Sequence, residues 1–397
     1  MLPDSTKDDF PAFSYPAPCG KGLIYLDSAA TALRSKFVVD AVTDALVSKS
    51  GGVHRSVNYL GDRATEAYEE SRLLVSRWLG GLENEIVFTR NTTDGLNLIS
   101  HGWPDKRRVL VSATDHHSSL LACDAARTTR VLPRTDGLVD EEGILRELSA
   151  GDVSLVCISH VSNVTGAETN IRRLADEAHR RGAILVVDAA QSAPHGPLDV
   201  QSLDCDFLAF SGHKLGAPAG IGVLWGKADC LQRLETIIRG GGVVDSFRDE
   251  EIKYKDNPWR LEPGTPAIEA VVGLAAAIEY LRNFDPDLVA AHLKTLRQHA
   301  FDLLSRLPKI RLLGRHDQDS MGPISFQFDD LPSHAIARGL SDSYGVCVRS
   351  GFHCAEPLHR FIGAGPTIRL SFFVYNQISD IDLAIQAIRE LVTVARS

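Results

Sequence analysis

Between residues 85 and 226, short runs dominated by apolar side chains alternate with stretches whose apolar positions recur every three or four residues. The runs are Glu85–Thr89, Arg108–Ser112, Ser154–Ser159, Ala183–Asp188, Asp206–Phe210 and Ile221–Trp225. Such runs predict strands covered on both faces. The stretches between them predict helices, among them Thr93–His101 and Ile171–Arg181, the latter stopped by Gly182. Strand and helix in alternation predict a mainly parallel sheet with helices on both sides. A sheet of that kind seats its ligands at the carboxyl ends of the strands.

The pattern changes at both ends. The first 20 residues carry Pro11, Pro16, Pro18 and Gly20 and predict an extended arm. The stretch Gly240–Gly264 is rich in Gly, Pro and charge, which suits a long functional loop leaving the main sheet. Helical spacing returns over residues 266–283. Beyond Pro286, helices alternate with short strands such as Ile324–Phe328 and Ile368–Phe373, a smaller α+β unit. The expected division is an arm (1–20), a large domain (21–265, with 21–60 partly packed on the small domain) and a small domain (266–397) that includes the connecting helix.

Composition narrows the class. At 397 residues, with 44% apolar and 23% charged side chains, a disordered or fibrous chain is excluded. The net charge of −9 argues against nucleic-acid or membrane-surface binding, which needs a basic face. Seven cysteines, an odd number with no C-x-x-C pair, predict neither a disulfide framework nor a zinc cage. No metal site is expected. No apolar run reaches 18 residues, and the start MLPDSTKDDFPAFSYP has no apolar core of a secretory signal. A cytoplasmic α/β protein is the expectation.

The chemistry concentrates at predicted strand ends. Lys214 closes Ser211-Gly212-His213-Lys214, directly after one strand, and Asp188 ends another. A carboxylate at the mouth of a buried strand needs a partner, because an unpaired buried charge is costly. Pyridoxal phosphate needs both parts: a lysine for a Schiff base, and an acid that keeps the pyridine nitrogen protonated. A solvated lysine is the plainer alternative. Arg90-Asn91-Thr92-Thr93-Asp94-Gly95 leads from a strand into a helix, where free N–H groups and Thr hydroxyls form an anion site; ordinary N-capping is the alternative there. In Asp115-His116-His117, an imidazole at a strand end could stack on a ring and move protons, bind a metal, or serve structure alone.

These residues resemble the class V, fold-type I pyridoxal-phosphate enzymes, and within them the SUF-type (group II) cysteine desulfurases and selenocysteine lyases. The matching stretches run in family order along nearly the whole chain: YLDSAAT (25–31), VHRS (53–56), FTRNTTDGLN (88–97), DHHSS (115–119), SHVSNVTG (159–166), VDAAQSAPH (187–195), DCDFLAFSGHKLGAPAGIGVLWGK (204–227), PWRLEPGTP (258–266) and VRSGFHCAEPL (348–358). The resemblance implies a large domain with a mainly parallel seven-stranded sheet and a smaller α+β C-terminal domain. It implies that Lys214 holds the cofactor and moves the Cα proton, that Asp188 pairs with the ring nitrogen, and that Gln191 faces the phenolic oxygen. It implies further that His116 stacks on the ring and that Thr92, Thr93, Ser211 and His213 hold the phosphate. Gly264 and Thr265 of the partner subunit would complete that seat in a homodimer. Asn163 and Arg369 would grip the substrate carboxylate, with Ala30 and Arg349 also on the substrate side. Cys354 would take the sulfur of L-cysteine as a persulfide, releasing alanine, and pass it to an acceptor protein.

Three positions depart from the family's usual residues: Ser28 for Asn, Asn58 for His and Phe352 for His. They leave open a specialised C–S lyase or selenocysteine lyase acting on a modified sulfur or selenium amino acid. A non-catalytic scaffold or sulfur-carrier binding partner is a further alternative, which would require an impaired cofactor site. Cys157 and Cys205, in apolar strand-like stretches, suit buried structural thiols.

Overall fold

A computed structural model describes residues 1–248, 251–314 and 320–397 of the chain. Strand β1 (Ile24–Tyr25) precedes the helices α1 (Lys36–Ser48) and α2 (Tyr59–Leu79). The alternating region then runs β2 (Ile86–Thr89), α3 (Thr92–Gly102), β3 (Arg108–Ser112), α4 (His117–Ala122), β4 (Thr128–Val131), α5 (Glu141–Ser149), β5 (Val153–Ser159) and α6 (Ile171–Arg180). It continues with β6 (Ile184–Asp188), α7 (Val200–Leu203), β7 (Phe207–Ser211), β8 (Gly222–Gly226) and α8 (Ala228–Arg233). A hairpin of β9 (Val244–Arg248) and β10 (Glu251–Tyr254) leads to α9 (Ile268–Arg282) and α10 (Pro286–Leu304). The last part holds β11 (Ile310–Leu312), β12 (Ile324–Phe328), α11 (Ser333–Tyr344), β13 (Val346–Cys347), β14 (Arg349–Gly351), α12 (Glu356–Phe361), β15 (Thr367–Leu370) and α13 (Ile378–Arg396).

Seven strands form the main sheet, in the order β2-β8-β7-β6-β5-β3-β4. The strands from β7 to β4 are mutually parallel, and β8 runs antiparallel to both its neighbours. Side chains on a strand alternate between faces, and here the alternation feeds two cores. Ile86, Leu110, Val156, Leu185, Leu208 and Trp225 join one core with residues of α2, α6 and α9. Their neighbours Val87, Val109, Leu155, Val186, Phe207 and Leu224 join the other with residues of α3, α4 and α8. Continuous apolar runs are the consequence, since each strand is covered on both sides. Full burial of one such leucine contributes about 1.5–3 kcal/mol.

A four-stranded antiparallel sheet, β11-β12-β15-β14, forms the second layer. The N-terminal segment reaches across to this part. There β1 pairs parallel with β13, and Asp27 bridges to Ser371. That crossing brings Ala29 and Ala30 to the carboxyl ends of the main-sheet strands. Among the described residues, no helix is long and apolar enough to cross a membrane.

Three expectations need correction. The first 20 residues are not an extended arm: they form 3₁₀ turns at Asp4–Asp9 and Pro11–Ser14. Leu2 and Phe10 are buried, and Phe10 lies edge-on to Tyr280 and Tyr375, so apolar anchors fold the segment down. The 240–264 stretch is not loop throughout, because it contains the β9–β10 hairpin and a 3₁₀ turn at Trp259–Leu261. Strand β4 (TTRV) was not foreseen, since its outer edge of the sheet leaves it half exposed and polar.

Candidate active site

The carboxyl ends of β5, β6 and β7 deliver Ser159, Asp188 and Ser211 to one cavity of about 270 Å³. In-register parallel pairing fixes this, with Ser159 opposite Asp188 and Asp188 opposite Ala209. Lys214 sits one 3₁₀ turn beyond β7, on Gly212–Lys214. Of the expected residues, Ala30, Thr92, Thr93, His116, Asn163, Asp188, Gln191, Ser211, His213, Lys214, Arg349, Cys354 and Arg369 all line the cavity. Gly264 and Thr265 do not. Gly264 donates its N–H to the Gly241 carbonyl, and Thr265 lines a neighbouring groove of about 890 Å³ that shares Asn91 and Thr93 with the cavity.

One end of the cavity suits an anion. Asn91 caps α3, its side chain accepting from the Asp94 N–H. The Thr92 N–H donates to the Ser211 hydroxyl at 2.8 Å, and the two hydroxyls share a second bond at 2.7 Å. Thr93 and Ser118 pair their hydroxyls at 2.7 Å. Gly222 makes room for this approach of helix to sheet: a Cβ there would sit 2.6 Å from the Asn91 Cα and 2.8 Å from the Phe210 carbonyl oxygen. Hydroxyls gathered at the start of an 11-residue helix, with its free N–H groups and dipole, fit a phosphate.

The floor suits a cation. The Asp188 carboxylate is buried and accepts from the Ala190 N–H at 3.0 Å and the Ser119 hydroxyl at 3.2 Å. Burial raises its pKa, against the Ala190 N–H, the Lys214 charge and the Ser119 hydroxyl. Beneath it, Asp115 is pushed up to about 7 by burial and by the Asp188 charge, and its Oδ2 has no hydrogen-bond partner. Burial brings Lys214 down to about 8, opposed by Asp188 and assisted by Arg369 and Arg349. Among the described residues no hydrogen bond holds its amine. His116 caps α4, its Nδ1 accepting from the Ser118 N–H at 3.1 Å, which leaves the proton on Nε2. Burial holds its pKa near 4, so it is neutral.

The far wall suits a carboxylate. Arg349 and Arg369 stand directly opposite each other on β14 and β15. Like charges so placed repel. Arg369 is 2% exposed. It donates to the Asn163 carbonyl at 3.1 Å and to Asp27 at 3.3 Å, while its buried Nε has no partner. A substrate carboxylate would relieve both the repulsion and the orphaned donor. Asn163 also gives one side-chain N–H to the His353 carbonyl at 2.6 Å, leaving the other for substrate.

That last bond holds the Cys354 loop. His353 and Cys354 both adopt left-handed backbone, with φ of 51° and 57°. The conformation is unfavourable for such residues, and it is pinned from outside. Asn163 holds the His353 carbonyl, and the His117 N–H holds the Cys354 carbonyl at 2.8 Å. All seven cysteines are free, and Cys354 is the one that lines the cavity. Burial pushes the Cys123, Cys157, Cys205 and Cys230 thiols up, Cys205 and Cys230 to about 12, which makes them inert.

The three departures lie off this cavity. Ser28 bonds the Tyr375 hydroxyl at 2.8 Å, Asn58 caps α2 by accepting from the Gly61 N–H, and Phe352 packs edge-on against His359. Phe352 and Asn58 are not among the residues that line the pocket of their own chain. The sequence reading passed over Asp27 and Ser119, although both lie inside quoted motifs, YLDSAAT and DHHSS. Nothing local marks Thr367 or His359, whose side chains hydrogen-bond behind the loop.

The aminotransferase class-V family model matches residues 24–383. A probable cysteine desulfurase of Halalkalibacterium halodurans is 38% identical over 375 residues, covering 91% of each chain. Probable cysteine desulfurase 2 of Mycobacterium leprae is 39% identical, covering 94% of this chain and 93% of its own. Among solved structures, the cysteine desulfurase CsdA of Escherichia coli superposes with a TM-score of 0.89 at 32% identity, over 99% of both chains. The cysteine desulfurase of Thermococcus onnurineus does so with 0.91 at 32% identity, over 99% of this chain and 98% of its own. With its family-model match, its relatives and its seven-stranded sheet in agreement, the chain belongs to the class-V aminotransferase family.

Proposed function

We propose that the chain is a pyridoxal-phosphate-dependent cysteine desulfurase that converts L-cysteine to L-alanine and keeps the sulfur as a persulfide on Cys354. One observation carries this reading: Cys354 is held by two backbone anchors in the cavity that also contains Lys214, Asp188 and Arg369. Lys214 would hold the cofactor covalently, Asp188 its ring nitrogen, His116 and Gln191 its ring and phenolic oxygen. Thr92, Thr93, Ser211 and His213 would hold its phosphate. The bound cofactor supplies the electron sink that makes the substrate Cα proton removable.

The remaining roles belong to the chain. Arg369 and Arg349 seat the substrate carboxylate, with Ala30 and Asn163 beside it. The Lys214 amine, brought down to about 8, takes and returns the Cα proton near neutral pH. The Cys354 sulfur attacks the substrate sulfur. In a homodimer, Gly264 and Thr265 of the partner subunit would close the phosphate end. The open groove beside Asn91 and Thr93 supports that arrangement. An acceptor protein would then collect the sulfur.

The test is product analysis. L-Cysteine with a thiol reductant should give sulfide and alanine in equal amounts, and Cys354→Ala should lose both. Equal release by wild type and variant would refute the persulfide route.

A further inference from the structure

Asp188 is not the only carboxyl group buried beneath the cavity. Asp115 follows β3 and is buried as well. The negative charge of Asp188, acting after burial, pushes Asp115 up to about 7, against Ser159 and Ser112. Buried carboxyls coupled in this way resist carrying two charges at once. Hydrogen-bond donors then decide which of them keeps the single charge, because a donor favours the ionised form.

The donors are unequally shared. Asp188 Oδ1 accepts from the Ala190 N–H at 3.0 Å, and its Oδ2 accepts from the Ser119 hydroxyl at 3.2 Å. Asp115 has the Thr114 hydroxyl at 3.4 Å from Oδ1 and no partner on Oδ2. Below about pH 7 the proton therefore rests on Asp115 and the charge on Asp188. Ser119 is the side-chain member of the Asp188 donor set. It is fully buried on α4, in the turn where its N–H bonds to the His116 carbonyl at 3.0 Å. Its hydroxyl bonds to Asp188 and, among the described residues, to no other group. Ser119 does not line the cavity, so it can act only through Asp188.

We propose that Ser119 is a positioning residue that keeps the negative charge on Asp188, and thereby keeps the proton on the ring nitrogen of the cofactor. The inference rests on the reading of Asp188 as the partner of that nitrogen. An ionised carboxylate can only accept, so the proton between the two belongs to the ring. Loss of the Ser119 donor makes Asp188 more basic and draws that proton toward the carboxylate. The ring then loses the positive charge that makes it an electron sink. A serine that merely filled space would leave the proton where it is.

The test is Ser119→Ala in holoenzyme loaded with pyridoxal phosphate carrying ¹⁵N in its ring. Wild type should give the NMR signal of a protonated pyridine nitrogen, and the variant a signal displaced toward the unprotonated one. Exchange of the Cα proton of L-alanine in D2O should fall by about tenfold or more, the scale of one hydrogen bond to a charged group. An unmoved ring signal, an unchanged exchange rate, or an unprotonated ring in wild type overturns the proposal. Should Ser119→Ala fail to fold, Ser119→Cys takes its place with the same expected and overturning results, since a thiol is close in size and a weak donor. Borohydride reduction and peptide mapping separate this inference from the reading beneath it. Label away from Lys214 would defeat the reading of the cofactor site and this inference with it, whereas label on Lys214 with an unmoved ring signal defeats the inference alone.

Discussion

Lys214 shows how much one side chain owes to its surroundings. An exposed lysine titrates near 10.4 and is almost wholly protonated at neutral pH. Burial in this cavity brings it to about 8, with Arg369 and Arg349 adding to the effect and Asp188 resisting it. About one tenth is then neutral at pH 7, enough to attack an aldehyde. We expect the rate at which cofactor-free protein takes up pyridoxal phosphate to rise with pH around a midpoint near 8. Stopped-flow absorbance over pH 6–10 measures it; a midpoint at or above 10 would contradict the burial argument. The sequence already showed the lysine, the aspartate and the cysteine, because each sits in a motif beside a strand end. Asp27, which pairs with Arg369 across 342 residues, had no such local mark.

At the scale of elements, the cavity depends on joints outside it. Arg72 of α2 is fully buried and donates to the Ile86 carbonyl, to Glu69 and to Glu262. Glu262 also accepts from the Phe88 N–H on β2 and the Tyr68 hydroxyl. Through this node, the segment carrying Gly264 and Thr265 is tied to the strand that leads into Thr92. Removing one partner of a buried pair leaves an uncompensated charge. Glu262→Ala should therefore destabilise the protein by about 3–5 kcal/mol, and urea denaturation would show it; a loss below about 1 kcal/mol would class the node as a surface pair. Strand runs and helix stops were legible in the chain because burial on both faces and glycines past helix ends leave local signatures. The β9–β10 hairpin and strand β4 were not, since edge and exposed strands lack an apolar run.

Over the whole molecule, folding holds several histidines neutral. Burial lowers His116, His195, His213 and His292 to about 4, and His353 to about 2. In the unfolded chain each would titrate near 6.5. Below that pH these five histidines bind more protons in the unfolded state than in the folded one, and they outnumber the buried carboxyls of Asp27, Asp115 and Asp188, whose raised pKa acts the other way, so stability falls as pH falls from about 6.5 toward 4. Carboxylates held near 2, such as Glu69 and Asp330, add their own loss only below about 4.5. Melting curves of the holoenzyme at constant ionic strength should show Tm declining from pH 6.5 downward; a flat Tm to pH 5 would contradict the neutral histidines. By itself the sequence determined the alternating α/β plan, the strand ends that bear chemistry and the identity of the central residues, because these depend on periodicity and motifs a few residues long. Only the tertiary structure decided that Arg349 faces Arg369, that Asn163 and His117 hold the Cys354 loop, and that the Thr367 hydroxyl lies between the His353 and His359 rings. Those relations join residues far apart in the chain, and only strand register and packing bring them within reach.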